Sequence, residues 1–279
     1  MNVIIGIDVG GSTTKIVGYS DKGKPVGMLK VEAADPVTSA YGALGKFVNE
    51  NGLALSDVKQ IIVTGVGSAL FKKKIYAIPT TTVDEFQAIG LGGLALSNKK
   101  EGLIVSMGTG TAFVRAGKKG IFHIGGSGVG GGTVLGLSGK LCGMSSFQNI
   151  LRLANQGNIS KVDLSIGDIS PRAISTLTKD ITASNFGKME DGVGAADLAL
   201  GVLNMVFQTV GMMAVFACRN EQMKDVVLTG TLAQVPAAKP VFDMLHAMHK
   251  INFIIPKNAI YATATGAALS FLHQKGKAK

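Results

Sequence analysis

Four apolar runs of strand length along the chain end in glycine turns. Val3-Ile4-Ile5-Gly6-Ile7-Asp8-Val9 leads into Gly10-Gly11-Ser12-Thr13-Thr14-Lys15, and Ile61-Ile62-Val63 into Thr64-Gly65-Val66-Gly67-Ser68. Leu103-Ile104-Val105 leads into Ser106-Met107-Gly108-Thr109-Gly110-Thr111, and Val226-Val227-Leu228 into Thr229-Gly230-Thr231. Runs without polar alternation read as strands covered on both faces; the first ends at an acid and two glycines, and each of the other three at a hydroxyl followed closely by glycine. Open α/β sheets bind ligands beyond the carboxyl ends of their strands. One such turn means little, because a tight hairpin also favours Gly-Gly-Ser; four in one chain point to a site.

The rest of the pattern predicts two unequal halves, residues 1–99 and 100–279. In the first, strands over 3–9 and 15–19 and an edge strand near 28–32 precede a helix over 39–51, the Ile61 strand and a helix over 83–95. In the second, strands at Leu103, Thr111 and Ile121 precede a long helical middle, the Val226 strand, a helix over 240–250, a strand near Phe253 and a helix over 265–272. Two helix-flanked sheets that meet at their glycine turns would enclose a cleft.

Composition narrows the class. With 279 residues, 46% hydrophobic, and 38 glycines, the chain can build two ordinary domains with many tight turns. Cys142 and Cys218 are too few and too far apart for a disulfide framework or a cysteine metal set, and read as packing residues in a reducing cytoplasm. The net charge of +10 raises a nucleic-acid reading, but aromatics are only 6% and the largest basic cluster, Lys72-Lys73-Lys74, reads as a solvated loop. A basic balance equally suits an anionic small substrate. Asp8 interrupts the first apolar stretch, so no signal-peptide pattern is present. Residues 198–218 carry no charge and are long enough to span a bilayer, but Asn204, Gln208 and Thr209 interrupt them. A buried helix, or a seam with a second copy of the chain, is the expectation, and no membrane partner is.

The turns carry the chemistry. Glycines let backbone approach phosphate oxygens, hydroxyls and amides surround them, and an acid at a strand end can hold magnesium directly or through water. The order of the Gly6–Lys15 loop, Asp84-Glu85 at a helix start, the Gly108–Thr111 loop, the glycine run from Gly125 to Gly132 and the late Thr229-Gly230-Thr231 resembles the actin/Hsp70/sugar-kinase ATPase superfamily. That resemblance implies an α/β fold of two ribonuclease-H-like lobes with a nucleotide cleft between them. Within the superfamily the chain is similar to type II pantothenate kinases from residue 1 to about 272. The segments that carry this are Gly130-Gly131-Gly132-Thr133-Val134-Leu135-Gly136-Leu137, Val162-Asp163-Leu164-Ser165-Ile166-Gly167-Asp168-Ile169 and Ala183-Ser184-Asn185-Phe186-Gly187.

The resemblance implies a homodimeric cytoplasmic enzyme that phosphorylates the primary hydroxyl of pantothenate with ATP and Mg2+. Asp8 would organise the ion, and Gly10, Gly11, Ser12 and Thr13 would cradle phosphates. Lys15 would either neutralise them or project from its strand into solvent. Gly108, Thr109, Gly110 and Thr111 would form the opposing phosphate loop, and Gly130, Gly131, Gly132 and Thr133 would approach the nucleotide and let the cleft close. Thr229 and Gly230, with Thr231 after them, would form the adenosine turn. Glu85 would be the general base, with Asp84 as the alternative, and Thr109, His123 and Ser127 would line the acceptor side. Two positions depart from the family pattern: His123 stands where an arginine commonly holds the pantothenate carboxylate, and Ala112 where serine is usual. Histidine lacks the permanent charge and fixed fork of arginine. Arg115 lies three positions from Ala112, so strand alternation places it on the opposite face. Other readings are a sugar or amino-sugar kinase of the same superfamily, an activator ATPase of the radical acyl-CoA dehydratase type, which holds an iron–sulfur cluster through cysteines, and a nucleotide sensor.

Overall fold

The computed structural model describes residues 2–11, 13–32, 35–71, 74–170, 172, 178–189 and 191–277, with side chains to Leu272. Ser12, Lys72, Lys73 and the final residues of the basic tail therefore lie outside the described residues.

The first sheet begins with an antiparallel meander, β1 (Val3–Val9), β2 (Thr13–Ser20) and β3 (Pro25–Glu32), followed by helix α1 (Pro36–Glu50) and strand β4 (Val58–Thr64). β5 (Lys74–Ile75) and β6 (Ile78–Thr82) form a short hairpin before α2 (Glu85–Ser97). The strand order is β3-β2-β1-β4-β6-β5, with β4 parallel to β1 and β6 parallel to β4. A second meander follows, β7 (Gly102–Met107), β8 (Thr111–Gly117) and β9 (Gly120–Ser127). Then come α3 (Gly131–Cys142), α4 (Phe147–Ala154), β10 (Leu164–Ser165), α5 (Ile166–Ile169), β11 (Thr182–Ser184) and α6 (Ala195–Asn220). β12 (Asp225–Thr229), α7 (Ala238–His249), β13 (Asn252–Ile254) and α8 (Ala262–Lys277) complete the chain as described. The second large sheet has the order β13-β12-β7-β8-β9, and β10 and β11 pair separately.

Alternation along each strand decides what covers it. Val3, Ile5, Ile7 and Val9 point to α1, where Ala40, Ala43, Leu44, Phe47 and Val48 form a stripe at helical spacing. On the other face Ile4 and Ile62 meet Ala88 of α2 and Ala267 of α8. In the second sheet Leu103, Val105 and Met107 meet α6 and α7, whereas Ile104, Val114 and Val227 meet Ile89 of α2. Helix α2 therefore packs against both sheets, and α8 joins it on the first. α2 and α8 cross backbone to backbone: a Cβ on Gly92 would stand 1.7 Å from the Ala262 carbonyl oxygen, and one on Gly266 1.8 Å from that of Ala88. Only glycine fits at either position.

α6 is the one helix among the described residues long and apolar enough to cross a membrane. Here Val202, Leu203, Val206, Phe207, Val210, Ala214 and Cys218 are buried in the second core. Asn204 and Gln208 on the same helix serve a polar network: Asn204 and Asn185 donate to buried Asp163, as does the Phe186 amide, and Gln208 donates to Thr182. The motif residues Asp163, Asn185 and Phe186 thus tie the β10–β11 region to α6.

Several elements differ from the sequence pattern. β6 was not expected, because Pro79-Thr80-Thr81-Thr82 is polar, yet its β-branched threonines pair with Ile61, Ile62 and Val63. α2 starts at Glu85, two residues later than the apolar pattern suggests, because the Asp84 carboxylate caps it by accepting from the Gln87 amide at 3.0 Å. α8 starts three residues early, since its first turn packs against α2.

Candidate active site

The carboxyl ends of β1, β4, β7 and β12 converge on one cavity of about 930 Å³. This volume lies within the usual range for small-molecule sites. Asp8, Thr109 and Glu85 all line it, so the sheet-end turns and the start of α2 do share a space.

Asp8 lies near the end of β1, opposite Lys15 of β2 and beside Thr64 of β4. Its Oδ2 accepts from Lys15 Nζ at 3.3 Å, and both side chains are about one-tenth exposed. Lys15 is therefore a buried partner of Asp8 and does not project into solvent. Gly65 follows β4 with φ +87°, and a Cβ there would come within 2.7 Å of Asp8 Oδ1 and of the Val9 carbonyl oxygen. The glycine is what lets β4 end against the Asp8 carboxylate.

The hairpin from β1 to β2 is closed by Gly10 N donating to the Thr13 carbonyl oxygen, and Gly10, Gly11 and Thr13 line the cavity. Opposite it, Gly108 N donates to the Gly110 carbonyl oxygen, and Gly108, Thr109, Gly110 and Thr111 line the other wall. The glycine run at α3 braces this second hairpin. Gly131 N and Gly132 N donate to the carbonyl oxygens of Gly108 and Thr109, both at 2.8 Å, and a Cβ on Gly130 would stand 2.6 Å from the latter. Gly131 and Gly132 reach the cavity, but those two amides are committed to the hairpin. Gly130 is buried behind it, and Thr133 caps α3, accepting from Gly130 N and donating to the Gly128 carbonyl oxygen. Neither Gly130 nor Thr133 lines the cavity, contrary to the expectation that the whole run meets nucleotide.

Thr229 is also elsewhere. It is fully buried and its hydroxyl faces the Val105 carbonyl oxygen at 3.4 Å, whereas Gly230, Thr231 and Leu232 line the cavity. Gly230, with φ +86°, breaks the alternation of the strand, so Thr231 beyond it faces the cavity while Thr229 faces the neighbouring backbone.

Glu85 is the first residue of α2. Burial raises its carboxyl above the ordinary glutamate value of 4.5, the negative charges of Asp8 and then Asp84 add to the rise, and Lys15 opposes it. Asp84 is engaged as the helix cap. The start of α2 is pinned to β9: the Phe86 and His123 rings stack at 3.9 Å and 12°, and Gln87 Nε2 donates to the Ile121 carbonyl oxygen at 3.1 Å. His123 and Ser127 of β9 line the cavity with Ala112. Arg115 points away, pairing with Glu221 at 3.1 Å. Further lining residues carried no strong sequence signal: Lys30, Glu32, Ser106 and the segment Ser145-Ser146-Phe147-Gln148. Register with Lys15 could have found Lys30, since the two face each other across β2 and β3.

Among the described residues no group of three or more His, Cys, Asp or Glu gathers as a metal set. The cavity offers Asp8 beside glycine and threonine hairpins, a donor set that fits magnesium held chiefly by phosphate oxygens and water.

Comparison with known proteins identifies the family and the fold. Residues 96–250 match the Fumble family. The type II pantothenate kinase of Oceanobacillus iheyensis is 29% identical over 281 residues, covering 95% of this chain and 98% of that protein. The type II pantothenate kinase of Bacillus cereus is 28% identical over 241 residues, covering 83% and 84%. Among solved structures, the ADPNP-bound activator of the 2-hydroxyisocaproyl-CoA dehydratase from Clostridium difficile superposes with a TM-score of 0.72 at 16% identity, covering 99% of this chain and 96% of that one. The ROK hexokinase from Thermus thermophilus gives 0.57 at 13% identity, covering 98% and 99%. These likenesses establish the two-lobe actin/Hsp70/sugar-kinase ATPase fold. Since the family match spans more than half of the chain and the curated relatives cover most of it, the chain belongs to the Fumble family, the pantothenate kinase family.

Proposed function

We propose that the protein transfers the γ-phosphoryl group of ATP to the primary hydroxyl of pantothenate, the first step of coenzyme A biosynthesis. The observation that carries this is the placing of Asp8, Thr109 and Glu85 around one cavity. Phosphoryl transfer asks a protein mainly to position two anionic reactants and to spread charge. The Gly10–Thr13 and Gly108–Thr111 hairpins would hold phosphates from two sides. Asp8 would hold magnesium, which supplies charge neutralisation on the phosphate oxygens when bound, and Lys15 would orient the Asp8 carboxylate. Glu85 would accept the proton of the attacking hydroxyl; its raised affinity for a proton brings it closer to the working pH, where a general base is most effective.

Names of the relatives support pantothenate as acceptor. The stacked Phe86–His123 pair favours a second reading, because a flat ring wall also suits a sugar face. An activator role is less well supported: Cys218 is buried, with its thiol pushed up to about 12, and the Cys142 sulfur lies on the Ala195 carbonyl oxygen. We further propose a cytoplasmic homodimer that pairs through the side of α6 exposing Phe216, to be checked by light scattering. The function is tested by ADP release from purified protein with magnesium and ATP against pantothenate, pantetheine, a sugar panel and no acceptor. Pantothenate-dependent release is expected. Release indifferent to acceptor, or seen only with sugars, overturns the assignment.

A further inference from the structure

Six charged or titratable side chains line the cavity among the described residues: Asp8, Lys15, Lys30, Glu32, Glu85 and His123. The mechanism leaves Lys30 and Glu32 without a task. Both are on β3, two residues apart and so on one face of the strand. Lys30 stands opposite Lys15, which stands opposite Asp8. The three therefore form one row across the sheet on the cavity side.

The two lysines differ in how they are held. Lys15 is committed to Asp8 in a pair shielded on both sides, whereas Lys30 Nζ lies 3.3 Å from Glu32 Oε1, a carboxylate whose side chain is 77% exposed. The Lys30 side chain itself is only 26% exposed. A largely sheltered cation with a water-exposed counter-ion gives that partner up readily, because a solvent-facing ion pair is weak. Neither Lys30 nor Glu32 lies on a glycine hairpin. Lys30 is two strands out from Asp8, about 10 Å at ordinary strand spacing. A short linear molecule with a hydroxyl at one end and a carboxylate at the other can bridge that span.

We infer that Lys30 grips the carboxylate of the acceptor, displacing Glu32, and so selects acidic acceptors over neutral ones. This rests on the kinase reading above. The only lysines or arginines among the described residues lining the cavity are Lys15 and Lys30, which makes Lys30 the cation open to exchange. Glu32 acts as its internal substitute, competing with the acceptor for the same ammonium group.

The test compares pantothenate with pantetheine, which lacks the carboxylate, as acceptors for wild type, Lys30→Met, Lys30→Arg and Glu32→Gln. Lys30→Met is expected to lower the pantothenate-to-pantetheine ratio of kcat/KM about tenfold or more, chiefly through the KM for pantothenate. Lys30→Arg should restore most of the ratio, and Glu32→Gln should raise it. An unchanged ratio in Lys30→Met overturns the role, and so does a loss confined to affinity for a non-hydrolysable ATP analogue, which would assign Lys30 to the nucleotide phosphates. Wild-type protein that phosphorylates neither acceptor overturns the pantothenate assignment itself, and this role with it.

Discussion

Counting outward from β1, the first sheet runs β3-β2-β1-β4-β6; from β7, the second runs β9-β8-β7-β12-β13. The registers correspond as well. Asp8 faces Lys15 on one side and Thr64 on the other, and Ser106 faces Ala112 and Thr229 in the same way. Lys15 then faces Lys30, as Ala112 faces Gly126. All but the two threonines line the cavity. One scaffold, used twice, thus presents a charged row, Asp8–Lys15–Lys30, to an uncharged row, Ser106–Ala112–Gly126. The lesson is a division of labour. The first sheet presents charged side chains to the cavity, and the second presents backbone, hydroxyls and close approach.

The largest expected effect tests Glu85, the base proposed above. Glu85→Gln should lower turnover by about 10²–10⁴-fold while an ATP analogue still binds, and near-normal turnover would remove Glu85 as base. The same variant has a stability signature. Glu85 holds its proton more tightly folded than unfolded, so its favourable contribution is complete below about 4.5 and is lost as pH rises through the higher folded value. Glu85→Gln should therefore melt above wild type at neutral pH, with the gap closing in acid. Thermal melts at several pH values check this.

Exchanging residues between the rows comes next. Asp8→Ser, which copies the second sheet into the first, should cost about 10²–10³-fold in turnover and leave Lys15 without its partner. The reciprocal Ser106→Asp should weaken the ATP analogue by about tenfold, since it adds a negative charge facing phosphate. If Ser106→Asp binds as tightly as wild type, the uncharged wall is not a requirement.

The smallest effect on chemistry, and a clear one on folding, concerns the paired turns. Gly65 and Gly230 have φ of +87° and +86° and ψ of 173° and 178°. Each abuts backbone of the neighbouring strand end, Val9 in one case and Met107 in the other. Alanine at either should cost about 2–4 kcal/mol in chemical denaturation, and to a similar extent. Unequal losses would show that the two turns are alike in shape but not in load.

The strands that carry this repeat were legible in the sequence because they are largely apolar and end at glycine turns. So were the hairpins and Glu85. What escaped has a common cause. β6 is short and polar on its open side, so it lacks the continuous apolar signature of a covered strand. Thr229 and Thr231 flank Gly230, whose positive φ sends their side chains different ways, a turn that composition does not reveal. The run Gly130–Thr133 read as a nucleotide contact because glycine marks any close approach, and here much of the approach is to the neighbouring hairpin. Lys30 looked like one of many surface lysines; only its partner across the sheet distinguishes it. Expectation and structure part wherever the deciding neighbour is distant along the chain.

The Gly92–Gly266 crossing bears on how the protein is made. Because α8 shares with α2 the face of the first sheet that α1 leaves bare, a nascent chain emerging from the ribosome carries Ile4, Gly6 and Ile62 only partly covered until α8 arrives. The earliest strands to be synthesised are among the last to be sealed, so a chaperone that shields apolar surface would find its longest-lived client in the N-terminal sheet.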